Sequence, residues 1–162
     1  MMRDHGTRRG QTLPCPERDA YEMDSKMKLA EKEVVRALSR MLKAGPIDSF
    51  PKRHYDLTVL LALSSARFEP GRAYREDEVN ERLIAWLEPF ALPSAIDHVT
   101  LRRVLVDEQF LQRNASGTGY RQHTAKLDAL IDGPARSIDP GAVLIAQRQQ
   151  REERKRARVA GH

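Results

Sequence analysis

The chain has little of what usually anchors a functional assignment. Its one cysteine, Cys15, lies between Pro14 and Pro16, so no internal disulfide can form, and a reducing, cytoplasmic setting is expected. No run of about 18 uncharged apolar residues occurs, and no transmembrane helix is expected. Residues 1–16 lack an apolar stretch, so a secretory leader is not expected either. Metal-ligand spacing is missing: His5, His54, His98, His123 and His162 are scattered, with no paired histidines or cysteines at ligating intervals. Gly117-x-Gly119 is too short for a phosphate loop and precedes strand-like residues. Ser64-Ser65 lies inside an apolar helix without elbow glycines. Glu76, Glu78 and Glu81 are explained by helix capping and solvation. Neither catalysis nor a metal or cofactor is therefore expected.

What the chain does have is charge. With 162 residues, 40 % apolar and 31 % charged, and a mean hydropathy of −0.61, it fits one polar domain with a modest core. The formal charge is +5 and the pI about 9.6, which directs attention to nucleic acid. Its distribution is uneven. Residues 147–158 hold +4 of it and residues 1–10 hold +2, so the rest of the chain sums to −1. Between Phe50 and Gln122, ten basic residues face ten acidic ones. Basicity belongs to the tails.

Residues 1–23 show no apolar period and read as a disordered arm. In residues 24–45, Met27, Ala30, Val34, Leu38 and Met41 recur at helical steps, with Asp24 or Ser25 as cap and Gly45-Pro46 as stop. This amphipathic helix is a packing helix or a dimer arm, its residues 27–41 offering a face for a second copy or another protein. Arg53 to Arg67 reads as a core helix, apolar on more than one side through Leu57, Leu60, Leu61 and Leu63. Glu76 to Leu87 follows, with Val79, Leu83, Trp86 and Leu87 on one face and acids crowding its first turn, where they suit the helix dipole. Asp97 is a good N-cap for the next helix, with core positions Leu101, Val104 and Leu105. Phe110–Arg113 and Gly119–His123 bracket a hairpin loop. Residues 124–162 form a helical segment: Thr124 to Ile131, then a helix from Asp139-Pro140 to about Ala157, ending in the basic tail.

Helix, helix, hairpin is the outline of a winged helix-turn-helix, a shape often used to read nucleic acid. The expected fold is therefore mainly α and winged-helix-like across residues 50–123, with flanking helices. On the second helix Thr100, Arg103 and Asp107 share a face, Arg102 lies beside them, and His98 sits at the end that usually points into the groove. Arginine pairs bidentately with guanine, which makes Arg102-Arg103 the sharpest binding signal. The competing reading pairs one of these arginines with Asp107 or with an acid of the preceding helix. Arg113, Asn114 and Arg121 suit a wing on phosphates, or simply a solvated hairpin. Arg154, Lys155 and Arg156 lie in a basic, helix-compatible tail that fits nucleic acid or an acidic partner, or is a solvated terminal helix. Its glutamates and lack of aromatic residues speak against a membrane.

The ensemble Phe50-Pro51, Arg53, Phe68-Glu69-Pro70-Gly71-Arg72-x-Tyr74, Glu76, Glu78-Val79-Asn80, Asp97-x-x-Thr100-Leu101-Arg102-Arg103-x-Leu105-Val106-Asp107, Leu111-x-Arg113 and Gly119-Tyr120 resembles the prokaryotic domain of unknown function 2087. That family occurs alone and at the C-terminus of some ArsR-like transcriptional regulators. The resemblance implies a compact helical domain with a small hairpin and a link to transcriptional control, and it carries over no catalytic residue. Position 75 is Arg where a small hydroxyl cap is expected, so helix entry there should be less well capped. Two functions remain open: a transcriptional regulator binding double-stranded DNA, and a protein-interaction module of winged-helix shape without DNA readout.

Overall fold

The computed structural model describes residues 28–161. The arm of residues 1–23, Cys15, the caps expected at Asp24 and Ser25, Met27, and His162 lie outside the described residues. Helix α1 spans Glu31–Met41, a later start than the periodicity suggests. Leu29 is instead drawn into an extended bridge to Ile131, its N–H donating to Leu130 O at 2.8 Å while Asp132 N–H donates back at 3.0 Å. The helix then starts at Ala30, whose N–H donates to the Glu33 carboxylate at 2.7 Å. Val34, Ala37 and Leu38 on its apolar stripe are fully buried in the chain's own core. Bridges at Leu29↔Ile131 and Ile47↔Ala91 hold the segments flanking α1 onto the domain.

Helix α2 (His54–Ser65) is buried without interruption from Val59 to Ser65, as its all-round apolar sequence requires. Asp56 in its first turn is buried and takes the Arg40 guanidinium of α1 at 2.5 Å. The Phe68-to-Tyr74 segment then reverses direction. Gly71 sits at φ +78°, a left-handed conformation that costs glycine nothing. Tyr74 packs edge-on against Phe68 at 5.1 Å, and its hydroxyl accepts from Glu69 N–H at 2.8 Å.

Tyr74–Arg75 forms strand β1, two residues too few for any alternation to reveal. Helix α3 follows at Glu76–Leu87. Arg75 offers no side-chain cap, but Glu78 reaches back to accept from the Arg75 N–H at 2.8 Å. This reciprocal half of a capping box meets the deficit expected at position 75. Helix α4 (His98–Asp107) is capped by Asp97, whose carboxylate accepts from Thr100 N–H at 3.1 Å. Strands β2 (Leu111–Arg113) and β3 (Gly119–Gln122) close the hairpin, and the antiparallel sheet runs in the order β1-β3-β2. The sequence of helix, strand, two helices and hairpin is a winged-helix-like arrangement. Residues 88–97 between α3 and α4 make a longer connector than the turn of about 3–4 residues in compact helix-turn-helix units.

Helix α5 (Thr124–Leu130), a 3₁₀ turn (Pro134–Ser137) and helix α6 (Pro140–Ala160) complete the chain. Asp139 caps α6 by accepting from Gly141 N–H at 3.0 Å, with Pro140 in the first turn. Leu144 is buried, and Gln147 donates to Ser39 O of α1 at 2.9 Å. Beyond that bond no residue of 148–160 is buried.

Leu63, Leu83, Phe90, Leu101 and Leu105 are fully buried between α2, α3 and α4, each contributing about 1.5–3 kcal/mol of transfer free energy. Two polar residues then fix how the pieces meet. Buried Gln122 at the root of the hairpin donates its amide to both Ser65 O and Phe68 O at 2.9 Å, at the C-terminal end of α2. Arg102 on α4 is buried against α3, with Nη2 3.0 Å from Glu76 and Nη1 donating to Asn80 Oδ1.

Replacing Gln122 by Leu keeps the volume but strips both carbonyls of their donor. The expected loss is about 1–3 kcal/mol in urea unfolding, and a change within about 0.5 kcal/mol would show that water replaces the amide. Arg102→Ala should cost about 1–3 kcal/mol, less than a fully buried pair because Glu76 is half exposed. Arg102→Lys should recover only part of this, since an ammonium cannot bond Glu76 and Asn80 with one planar fork.

Candidate nucleic-acid interface

Helix α4 and the hairpin form the two walls of a cleft of about 410 Å³ lined by Glu76, Arg102, Arg103, Val106, Asp107, Arg113 and Tyr120. Helical periodicity places Thr100, Arg103 and Asp107 outward, and all three are exposed. Leu101, Arg102 and Leu105 turn inward. The pair Arg102-Arg103 is thereby split. Arg102 shows 9 % of its side chain and is neutralised by Glu76 on the preceding helix, so the competing sequence reading holds for this residue. Arg103 is exposed with no ion pair among the described residues.

The wing divides its arginines in the same way. Side chains alternate faces along a strand, and directly paired residues share a face. Leu111 pairs with Gln122 and Arg113 with Tyr120, which puts Arg113 on the core side facing α4; Gln112 and Arg121 pair on the opposite side. The Arg113 guanidinium lies 5.9 Å from the Tyr120 ring centre, and that of Arg102 5.8 Å. Arg113 also donates through Nε and Nη2 to Gly117 O, both at 3.2 Å. Gly117 is at φ +74°, and a Cβ there would stand 2.9 Å from Arg113 Nη2, so the tip glycine gives this arginine its room. Asn114 stiffens the tip by accepting from Thr118 N–H at 2.9 Å and Gly119 N–H at 3.1 Å.

Arg102, Arg103, Arg113 and Arg121 therefore do not form one continuous stripe. The structure brings Arg103 and Arg113 to one cleft, sets Arg102 beneath them, and leaves Arg121 on the far face of the hairpin. Asp107 stands on the same rim. Thr100 is exposed, but its hydroxyl donates to Asp97 at 3.0 Å. His98 is half-buried, with Nδ1 3.7 Å from Asp97. It lines a different, apolar cavity at the α3–α4 connector.

Arg154, Lys155 and Arg156 are exposed on α6. At about 100° per residue, Arg148, Arg151, Arg154, Lys155 and Arg158 share a sector of roughly 120°. That sector prolongs the face that carries Leu144 and Gln147 nearer the domain. Arg156 falls on the other side with Glu152 and Glu153. Residues 148–160 form a rod of about 20 Å.

Sequence reasoning gave Asn80 and Tyr120 no role beyond the family resemblance and missed Gln122. Asn80 has a legible signal, lying one turn after Glu76 on the same face of α3. Gln122 and Tyr120 have none beyond strand alternation, since their contacts come from sequence-distant α2 and α4.

Residues 46–122 match the model of a family described as "Uncharacterized protein conserved in bacteria (DUF2087)". No curated protein and no solved structure matches the chain. The matched span runs from the turn before α2 to the last residue of β3, and most motif residues within it are architectural: Tyr74, Glu78, Asn80, Asp97, Arg102 and Tyr120 each hold an element in place. Over residues 46–122, a little under half of its length, the chain is similar to the DUF2087 family.

Proposed function

We propose that the chain binds double-stranded DNA as a transcriptional regulator, presenting the exposed face of α4 to the major groove and the hairpin to the backbone. The observation that carries this reading is the convergence of Arg103 and Arg113 on one cleft, where one of the two lining carboxylates, Glu76, is engaged by Arg102 and the other, Asp107, stands on the rim. Arg103 is the base-reading candidate and Arg113 the phosphate contact. Arg121, on the outer face of the wing, adds field but no shared contact with that cleft. The basic sector of α6 supplies sequence-independent affinity through counterion release. The occurrence of related domains in ArsR-like regulators, implied by the resemblance, is consistent with this assignment.

A second reading keeps the winged-helix shape for protein contacts. It is favoured by the balance of ten basic and ten acidic residues over Phe50–Gln122 and by exposed Ile84 and Leu92.

Fluorescence anisotropy of a labelled generic duplex across a salt series separates the two. A chain ending at Gln147 retains every buried residue of α6, so it tests the domain without the projecting rod. We expect it to bind with a salt slope shallower by about 1 for each phosphate that the rod no longer neutralises. Within it, Arg103→Ala with Arg113→Ala should weaken binding by roughly tenfold or more, whereas Arg121→Ala should change it by less than about threefold. If binding disappears with the rod and ignores Arg103 and Arg113, the regulator reading fails and the protein-interaction reading takes its place.

A further inference from the structure

A cavity of about 560 Å³ lies at the end of α4 remote from the arginine cleft, between the last turn of α3 and the connector. Its walls are Ile84, Leu87, Ala91, Leu92, Pro93 and Ile96, and its polar rim is Glu88, Ser94, Asp97 and His98. Pockets of roughly 300–1,000 Å³ with apolar walls and a few placed polar groups are the usual form of small-molecule sites. Ile84 and Leu92 are 49 % and 47 % exposed, so apolar surface is left uncovered here. The connector is fixed in shape by the Ile47↔Ala91 bridge and by Ser94 at φ +64°.

We propose that this cavity binds a small amphiphilic amine, its apolar body against Ile84, Leu87, Leu92 and Ile96 and its ammonium between Glu88 and Asp97. The rim selects the charge. It has two carboxylates and no Lys or Arg, and neither Glu88 nor Asp97 pairs with Lys or Arg among the described residues. Asp97 uses Oδ2 for both Thr100 bonds and leaves Oδ1 toward His98 at 3.7 Å. Those bonds, the side-chain one first, hold its carboxyl below the usual range, so it is an anion at neutral pH. An anionic ligand would meet like charge, and a neutral one would gain only the apolar contact.

Trp86, the only tryptophan, packs edge-on against Phe90 at 4.9 Å, and each is the chain neighbour of a wall residue, which makes its emission a reporter. The full chain is titrated with phenylbutylamine, phenylbutanol and phenylbutyrate, following tryptophan emission and the heat of binding by calorimetry. The amine should bind saturably, about fivefold or more tighter than the alcohol, with phenylbutyrate weakest. The double variant Glu88→Gln, Asp97→Asn should erase the preference for the amine and leave the alcohol unchanged. Asparagine caps a helix as well as aspartate, so circular dichroism should be unaltered. Leu92→Ser should weaken amine and alcohol alike. Equal affinity for all three probes, an amine affinity untouched by the double variant, or no saturable binding of the amine would each overturn the proposal.

Discussion

Arg102 is the residue on which the geometry of the domain turns. Its guanidinium joins α4 to α3 through Glu76 and Asn80 and lies over the ring of Tyr120 on the hairpin. Three elements that meet only through tertiary structure thus share one buried cation. A cation so placed is stable only while its partners remain in register, because an unpaired charge at this depth costs several kcal/mol. The energy of the contact is less important than its specificity. Leucines such as Leu83, Leu101 and Leu105 tolerate small rotations of α4 about its own axis, whereas a planar fork bonded to two side chains of α3 does not. The rotation of α4 in turn decides which residues face outward, and therefore that Arg103, and not its neighbour, is exposed at the cleft.

The same logic explains how far the sequence was legible. Periodicity and caps are local, so α2, α3, α4 and the hairpin were readable from Leu60, Val79, Asp97 and the Asn114–Thr118 loop. The start of α1 was not, because its Ser25-to-Ala30 segment has helical spacing and Leu29 leaves the helix only through a partner about a hundred residues away, Ile131. Strand β1 escaped notice because two residues carry no period. For the site, one turn of helix separates what could and could not be read. Thr100 and Arg103 follow from α4's own periodicity, but the burial of Arg102 depends on where Glu76 and Asn80 stand. Likewise the chemistry of Arg113 and Arg121 is identical in sequence, and only the register Arg113↔Tyr120 assigns them to opposite faces of the wing.

The charge layout gives the domain and its terminal helix different physical tasks. Within the domain, positive charge is local: Arg103 and Arg113 stand at one cleft, while Asp107 shares its rim and Glu76, Asp77 and Glu78 crowd the adjoining start of α3. Such a surface has little long-range attraction for a polyanion, since opposite charges a few ångströms apart cancel beyond about one Debye length of 8–10 Å. What it retains is short-range discrimination, because an acidic rim penalises any approach that does not seat the arginines. The rod of residues 148–160 has the complementary property, a one-sided basic sector with no burial and no fixed partner among the described residues. Its field reaches further than its contacts do, and its affinity must fall with salt. On the proposed reading, the rod concentrates the domain near DNA and the cleft decides whether it stays. The neutrality of the domain then favours selectivity, because a strongly basic cleft would hold any duplex and make the orientation fixed by Arg102 irrelevant.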